Sequence, residues 1–103
     1  MTFKEKLEKF KSERVGFRVS SEEIADELAK VLDADDRFKD SEGCSWEALC
    51  DFARVAYGNK AYVAYDGSRS VYGCTDHIDG RELKIDIANL LDVTLEELKA
   101  YNG

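Results

Sequence analysis

Four residues have side chains suited to metal binding or nucleophilic catalysis: Cys44, Cys50, Cys74 and His77. Together they match in type the four ligands of a structural zinc site. Their spacing does not fit such a site, because Cys44 and Cys50 lie six positions apart instead of forming a short knuckle. Cys50 also falls inside an apolar helical pattern, which is typical of a small buried core residue. We therefore expect no bound metal.

A thiol enzyme is the second chemical hypothesis. His77 stands between Asp76 and Asp79, where a carboxylate would orient the imidazole and the imidazole would activate Cys44 or Cys74. The same residues also describe an ordinary polar turn. The sequence contains no local signature of a thiol enzyme, no nucleophile elbow, no dinucleotide fingerprint and no Walker A motif. We expect no catalytic residues and no cofactor, and a small thiol- or zinc-dependent enzyme remains an alternative.

Acidic side chains are concentrated in one part of the chain. The net charge is −7, and residues 22–51 carry eleven acidic and three basic groups. Such a field repels nucleic-acid phosphates and attracts basic partners. We predict a partner-binding surface that stands in for phosphates, formed by the carboxylates of one loop: Asp33, Asp35, Asp36, Asp40 and Glu42. The alternative is a solvated loop that only aids solubility.

Tyrosines gather around a predicted β-hairpin at positions 57, 62, 65 and 72. An exposed tyrosine face suits protein binding, because tyrosine offers a large contact area with a polar tip. We predict Tyr65 and Tyr72 as binding anchors. The alternative is that about half of the tyrosines fill the core, as strand alternation implies.

The chain has the composition of a compact protein of the cytoplasm. Its 103 residues fit one domain, and 44% of them are hydrophobic. No apolar run approaches the roughly 18 residues of a membrane span, and the charged amino-terminal segment is unlike a secretory signal. Three cysteines leave one unpaired, so reduced thiols are expected.

Three helices and a hairpin follow from the apolar periodicity. A first helix begins at a Thr2–Glu5 capping box and ends near Arg14, with Gly16 as a left-handed cap, and a short strand follows over residues 15–19. Ser20 and Ser21 begin a second helix, and Ser45 caps a third over about residues 46–57 that stops at Gly58. In the third helix the buried face is predicted to comprise Trp46, Leu49, Ala53 and Ala56, widened by Phe52 and Val55.

Two segments allow alternatives. Around Asp66-Gly67 a two-residue turn pairs Tyr65 with Ser68, whereas a longer loop through Arg69 shifts the register. Residues 81–87 favour a helix that begins near Asp79 or Gly80, and the alternative is a third strand up to about Asp86. The fold class predicted is α+β, with three or four helices packed on a small antiparallel sheet centred on the hairpin. The second and third helices cover the sheet with Ile24, Leu28, Leu32, Leu49 and Ala53.

The C-terminal segment, residues 87–101, predicts two helices joined at Asp92-Val93, the second opened by a Thr94–Glu97 capping box. It resembles phage-repressor helix-turn-helix sequence at its apolar positions, which are Ile87, Ala88, Leu91, Val93, Leu98 and Tyr101. It is equally similar to the closing helices of the Cro/repressor domain, which do not read bases. Asp92 departs from the family pattern, where glycine is usual in the turn. The resemblance implies a transcriptional regulator, acting as a dimer.

Charge argues against direct DNA recognition by this segment, because the second helix carries Glu96 and Glu97 and only one lysine. The leading hypothesis is a non-enzymatic intracellular protein-binding module. Its finer form is a phage or mobile-element inhibitor of the anti-defence type, whose acidic surface occupies a nucleic-acid-handling protein. A homodimer is also predicted, through the first-helix stripe Phe3, Leu7 and Phe10, although that stripe has the alternative of folding onto its own core.

Overall fold

A computed structural model describes residues 1–13, 15–75 and 90–101. These residues form helices α1 (Phe3–Ser12), α2 (Glu22–Asp33), α3 (Trp46–Tyr57) and α4 (Leu95–Ala100), and strands β1 (Gly16–Arg18), β2 (Ala61–Tyr65), β3 (Ser70–Cys74) and β4 (Leu90–Leu91). The helices pack on one small sheet, so the predicted α+β class is confirmed. In the described part of the chain, no helix has the length and apolar character needed to span a membrane.

The sheet is mixed, with the strand order β3-β2-β1-β4. The β2 strand pairs antiparallel with both β1 and β3, whereas β4 pairs parallel with β1. Leu90 and Leu91, which were predicted as the end of a helix, lie instead beside Gly16 and Phe17. That prediction is wrong because a two-residue apolar pair has no period of its own, and its partner strand lies far away in the sequence. The predictions for residues 76–89 lie outside the described residues.

The hairpin has the longer of the two predicted loops. Tyr65 pairs with Ser70, which leaves residues 66–69 in the loop, so the two-residue turn that joins Tyr65 to Ser68 is wrong. The Asp66 carboxylate accepts hydrogen bonds from the backbone N–H of Ser68 at 3.0 Å and of Arg69 at 2.8 Å. Gly67 has a φ of 96°, a conformation that few other residues adopt. Side-chain capping of the loop by Asp66 therefore selects the four-residue connection.

Helix starts follow the sequence closely. Thr2, Ser21, Ser45 and Thr94 each accept a hydrogen bond from the third residue of the helix that they precede. At the other end of α1 the predicted cap is wrong, because the helix ends at Ser12 and Gly16 belongs to β1. A Cβ at Gly16 would come within 2.7 Å of the Leu90 side chain and 3.2 Å of the Tyr62 ring, so this glycine permits a close approach within the sheet rather than a helix stop.

Aromatic rings fill the space between the helices and the sheet. Phe10 of α1 stacks on Phe17 of β1 with ring centroids 4.5 Å apart, and Phe38 and Trp46 also contact it. The predicted core residues Leu28, Leu32, Leu49 and Ala53 are buried, and Ile24 is partly buried. Phe3, Leu7 and Phe10 are buried as well, so the α1 stripe folds onto its own core. A smaller cluster of Tyr62, Ala64 and Val71, with Leu90 packed against it, occupies the opposite face of the sheet.

Candidate functional site

The cysteines do not share a site. Cys44 is exposed, whereas Cys50 and Cys74 are buried, and all three are free thiols. Burial, together with the nearby carboxylates, raises the pKa of Cys50 to about 12, so this thiol is protonated at neutral pH and is a poor nucleophile. Within residues 1–13, 15–75 and 90–101, no three histidine, cysteine or carboxylate side chains are grouped to hold a metal ion. His77 lies outside the described residues.

Two of the predicted acidic residues serve helix and loop structure. Asp33 accepts hydrogen bonds from the backbone N–H of Trp46 at 2.7 Å and of Glu47 at 3.2 Å, so it caps α3 from the end of α2. Asp35 accepts from the Arg37 guanidinium at 2.8 Å and from the Arg37 N–H at 3.0 Å. These bonds, chiefly those from the guanidinium, lower the pKa of Asp35. Its charge is therefore compensated within the protein.

Asp40 ties the acidic loop to the sheet. Its Oδ2 accepts hydrogen bonds from the Ser70 hydroxyl at 2.6 Å and from the Ser70 N–H at 2.8 Å, while its Oδ1 accepts from the Glu42 N–H at 2.7 Å. Desolvation opposes ionisation of Asp40, but these bonds outweigh it and lower the pKa. Asp36 and Glu42 are exposed, and Asp36 lies 3.8 Å from the Lys39 ammonium. Three of the five predicted carboxylates, those of Asp33, Asp35 and Asp40, therefore accept hydrogen bonds within the protein.

The two predicted tyrosine anchors lie in different environments. Tyr65 is only 6% exposed, and its hydroxyl donates a hydrogen bond to the Lys39 carbonyl at 2.9 Å. Its ring packs against Phe38, so Tyr65 belongs to the core. Tyr72 is 41% exposed, and its ring centroid lies 6.2 Å from that of Tyr57. Of the two, only Tyr72 presents substantial surface to a partner.

Large apolar side chains are exposed on the outer side of α3, where the prediction placed them in the core. Phe52 is 59% exposed and Val55 is 87% exposed, and Ala56 is exposed too, so the predicted buried face of this helix is wrong at these positions. The helix buries Trp46, Leu49, Cys50 and Ala53. Its apolar residues cover too much of the circumference for one buried stripe, which is the sequence signal that identifies an additional apolar face.

We define the apolar patch as Phe52, Val55, Ala56, Tyr57 and Tyr72. Phe52, Val55 and Ala56 stand at positions i, i+3 and i+4 and so are neighbours on the helix surface. Tyr57 ends the helix and contacts Tyr72 of β3, the strand against which α3 packs. The patch therefore runs from the exposed side of α3 to the edge of the sheet.

We define the acidic strip as Asp26, Asp33, Glu47 and Asp51. Glu47 and Asp51 lie one turn apart on α3, and Asp33 accepts a hydrogen bond from the backbone N–H of Glu47. Asp26 lies on α2, the helix that packs against α3. All four are exposed, and none forms an ion pair with another described residue. Of the predicted acidic residues, only Asp33 belongs to this strip.

The nearest cation of α3 does not neutralise the strip. Arg54 donates hydrogen bonds from Nη1 to the carbonyls of Val19 and Gly58, each at 3.0 Å. Its guanidinium therefore joins the end of α3 to the end of β1. The outer side of α3 combines exposed apolar area with carboxylates that form no ion pair within the described residues, and such a surface can bind a partner whose charge is positive.

The structure contains the second of the two helices predicted in the C-terminal segment. Helix α4 begins at Thr94 with both hydrogen bonds of the capping box, as predicted. Leu90 and Leu91 form a strand, so the helix expected before Asp92 does not extend to that turn. Comparisons with protein-family models, with curated proteins and with solved structures found no match to this chain.

Proposed function

We propose that this protein is a non-enzymatic protein-binding module that contacts its partner through the apolar patch and the acidic strip. The observation that carries the proposal is the exposure of Phe52 and Val55 beside the carboxylates of Glu47 and Asp51, which form no ion pair with any residue that the structure describes. Exposed large apolar side chains that lie together on one surface are typical of protein interaction sites. The neighbouring Tyr72 adds a side chain of the type that often dominates binding energy.

Charge complementarity supports a basic partner. The strip carries four carboxylates in a protein of net charge −7, and proteins that handle nucleic acids present basic surfaces to phosphates. Charge complementarity is consistent with the finer proposal made from the sequence, an inhibitor of phage or mobile-element origin that acts in the cytoplasm against a nucleic-acid-handling defence protein. In this form the strip occupies the partner's basic surface, and the exposed Asp36 and Glu42 take no part in the contact.

A pair of matched variants tests which carboxylates contribute to partner binding. Asp26→Asn/Asp51→Asn and Asp36→Asn/Glu42→Gln each remove two exposed negative charges, but only the first pair alters the strip. We expect the first variant to associate more slowly and with a smaller salt dependence, because charges at an interface rim act mainly on association. The second variant should match the unmodified protein in surface-plasmon-resonance measurements against the purified partner.

A third variant tests the apolar patch. Phe52→Ser/Val55→Ser should dissociate faster while its salt dependence stays unchanged. Proteins captured by the unmodified chain and lost from this variant, but kept by Asp36→Asn/Glu42→Gln, are the specific partners. If every captured protein binds all three variants equally, the outer side of α3 is not the binding surface.

Two other functions are separated by simple measurements. A transcriptional regulator should shift duplex DNA at low salt with strongly salt-sensitive affinity. Because α4 carries Glu96 and Glu97 in its first turn, we expect no such shift. A zinc-dependent enzyme should purify with stoichiometric metal, which elemental analysis detects. A thiol enzyme should lose activity on alkylation of its nucleophile.

A further inference from the structure

An open groove of about 690 Å³ lies between α1, α2 and α4. Val31, Ala34, Leu98 and Tyr101 supply its apolar lining. Leu98 is buried, and the Tyr101 ring is held edge-on against Phe3 with centroids 5.0 Å apart. A concave site of this volume, with an apolar surface that is already formed, has the size typical of small-molecule sites.

Most charged side chains of the groove form ion pairs with one another. The Arg37 guanidinium donates to both Asp35 and Glu8, and these two bonds raise its pKa further. Lys30 lies 3.3 Å from Glu27. These five side chains contribute two positive and three negative charges, each already paired with a neighbour.

The two lysines that remain are uncompensated. Lys4 of α1 and Lys99 of α4 line the groove, and neither forms an ion pair with a described residue. Both charged side chains of the groove that lack an ion pair within the described part of the chain are thus positive, in a protein whose net charge is −7. The groove therefore differs in sign from the acidic strip.

We propose that this groove binds a small amphipathic anion, with an apolar body on Val31, Leu98 and Tyr101 and a carboxylate held by Lys4 and Lys99. The lysine ammonium is a mobile point charge with three donors, which suits a carboxylate that enters from solvent. The proposal does not depend on the apolar patch or the acidic strip. The bound carboxylate would give Lys4 and Lys99 the negatively charged partner that neither has within the described residues.

Octanoate is the probe, with 1-octanol and octylammonium as matched compounds of the same chain length. In amide NMR titrations of the whole protein we expect saturable shifts with octanoate at Val31, Ala34, Leu98 and Lys99. Octanol should bind more weakly, and octylammonium should produce no saturable shift in the groove. Equal binding of all three compounds, or octanoate shifts that lie elsewhere or do not saturate, would overturn the proposal.

Two lysine variants separate the site from general charge. Lys4→Gln/Lys99→Gln should weaken octanoate binding by about tenfold, the value expected from the loss of a charge-assisted contact. Lys11→Gln/Lys39→Gln removes the same charge from lysines outside the groove and should leave the affinity unchanged. All four side chains are exposed at the surface, so both variants should fold. Equal weakening by the two variants would show non-specific attraction and reject the site.

Discussion

Asp40 holds an acidic loop against the sheet with a single carboxylate. Asp40→Ala would leave the Ser70 N–H and hydroxyl without their acceptor, and Ser70 is 9% exposed. We expect the free energy of unfolding to fall by about 1–3 kcal/mol, the usual cost of an orphaned buried donor. Urea denaturation measures this change.

Glu42→Ala is the matched control for Asp40→Ala. Glu42 lies in the same loop, but its side chain is exposed and only its backbone N–H is used by Asp40. Its replacement should change the free energy of unfolding by less than about 0.5 kcal/mol, as is usual for surface positions. Equal effects of the two substitutions would mean that the Asp40–Ser70 contact contributes nothing.

Ionisation of the Asp40 carboxylate makes the free energy of unfolding depend on pH. The folded-state pKa of Asp40 lies below its ordinary value of 3.8, so below that value the unfolded chain binds more protons than the folded one. The stabilisation is complete above the ordinary pKa and is lost as the pH falls through the folded pKa. We expect the free energy of unfolding to drop as the pH falls from about 5 through the folded pKa, and to drop less in Asp40→Ala.

Urea unfolding across this pH range measures the difference between the two proteins. Asp35, Asp66 and Glu97 also have lowered pKa values, so Asp40→Ala should retain part of the acid sensitivity. Parallel pH profiles for the two proteins would contradict the assignment of this contribution to Asp40.

At the scale of elements, the packing of the sheet places the ring of Tyr62 against two glycines, Gly16 and Gly73. Tyr62 of β2 stands opposite Gly73 of β3, and a Cβ at Gly73 would come within 2.6 Å of the Tyr62 hydroxyl oxygen and 2.7 Å of the ring. Gly73→Ala must displace a ring that is 8% exposed. We expect a loss of about 1–3 kcal/mol, because overpacking outweighs the small entropic advantage of alanine in a strand.

A double-mutant cycle isolates this contact. In a Tyr62→Leu background the distal ring atoms are absent, so Gly73→Ala should cost little or even stabilise the protein. Chemical denaturation of the four proteins gives the coupling energy. A cost of Gly73→Ala that is the same in both backgrounds would show that the clash with Tyr62 is not its cause.

Local chemistry explains which elements could be predicted. Capping by Thr2, Ser21, Ser45 and Thr94 depends on residues that are close in sequence, so the helix starts could be identified from the chain alone. The strand Leu90–Leu91 depends on β1, more than seventy residues away, and no local pattern specifies it. Pairing with β1 therefore makes Leu90–Leu91 a strand, although the sequence predicted the end of a helix there.

The candidate site was predicted less well than the fold, for a related reason. Composition identified acidity and tyrosines, but burial depends on which side of each element meets the core. Asp40 and Tyr65 were expected at a binding surface and bond to Ser70 and Lys39 instead. Phe52 was expected inside and is exposed, because α3 has apolar residues on more than one side.

For the whole molecule, α1 and α4 bring the two ends of the described chain together. The Lys6 ammonium lies 2.8 Å from a Glu97 carboxylate oxygen and also donates to the Asp92 carbonyl at 2.7 Å. Phe3 contacts both Phe17 and Tyr101. The first helix is thus part of the common core, and a dimer built on its apolar stripe would have to open that core.

Phe10→Ala tests whether α1 supports the monomer or an association of copies. Phe10 is 0% exposed and contacts rings of β1, α3 and the loop after α2, so we expect a loss of about 3–5 kcal/mol at any protein concentration. Phe52→Ala makes the same change at an exposed site and should cost far less. Trp46 fluorescence during urea unfolding measures both variants. If the stripe instead joined two copies, the midpoint of the unmodified protein would rise with its concentration, and Phe10→Ala would abolish that dependence.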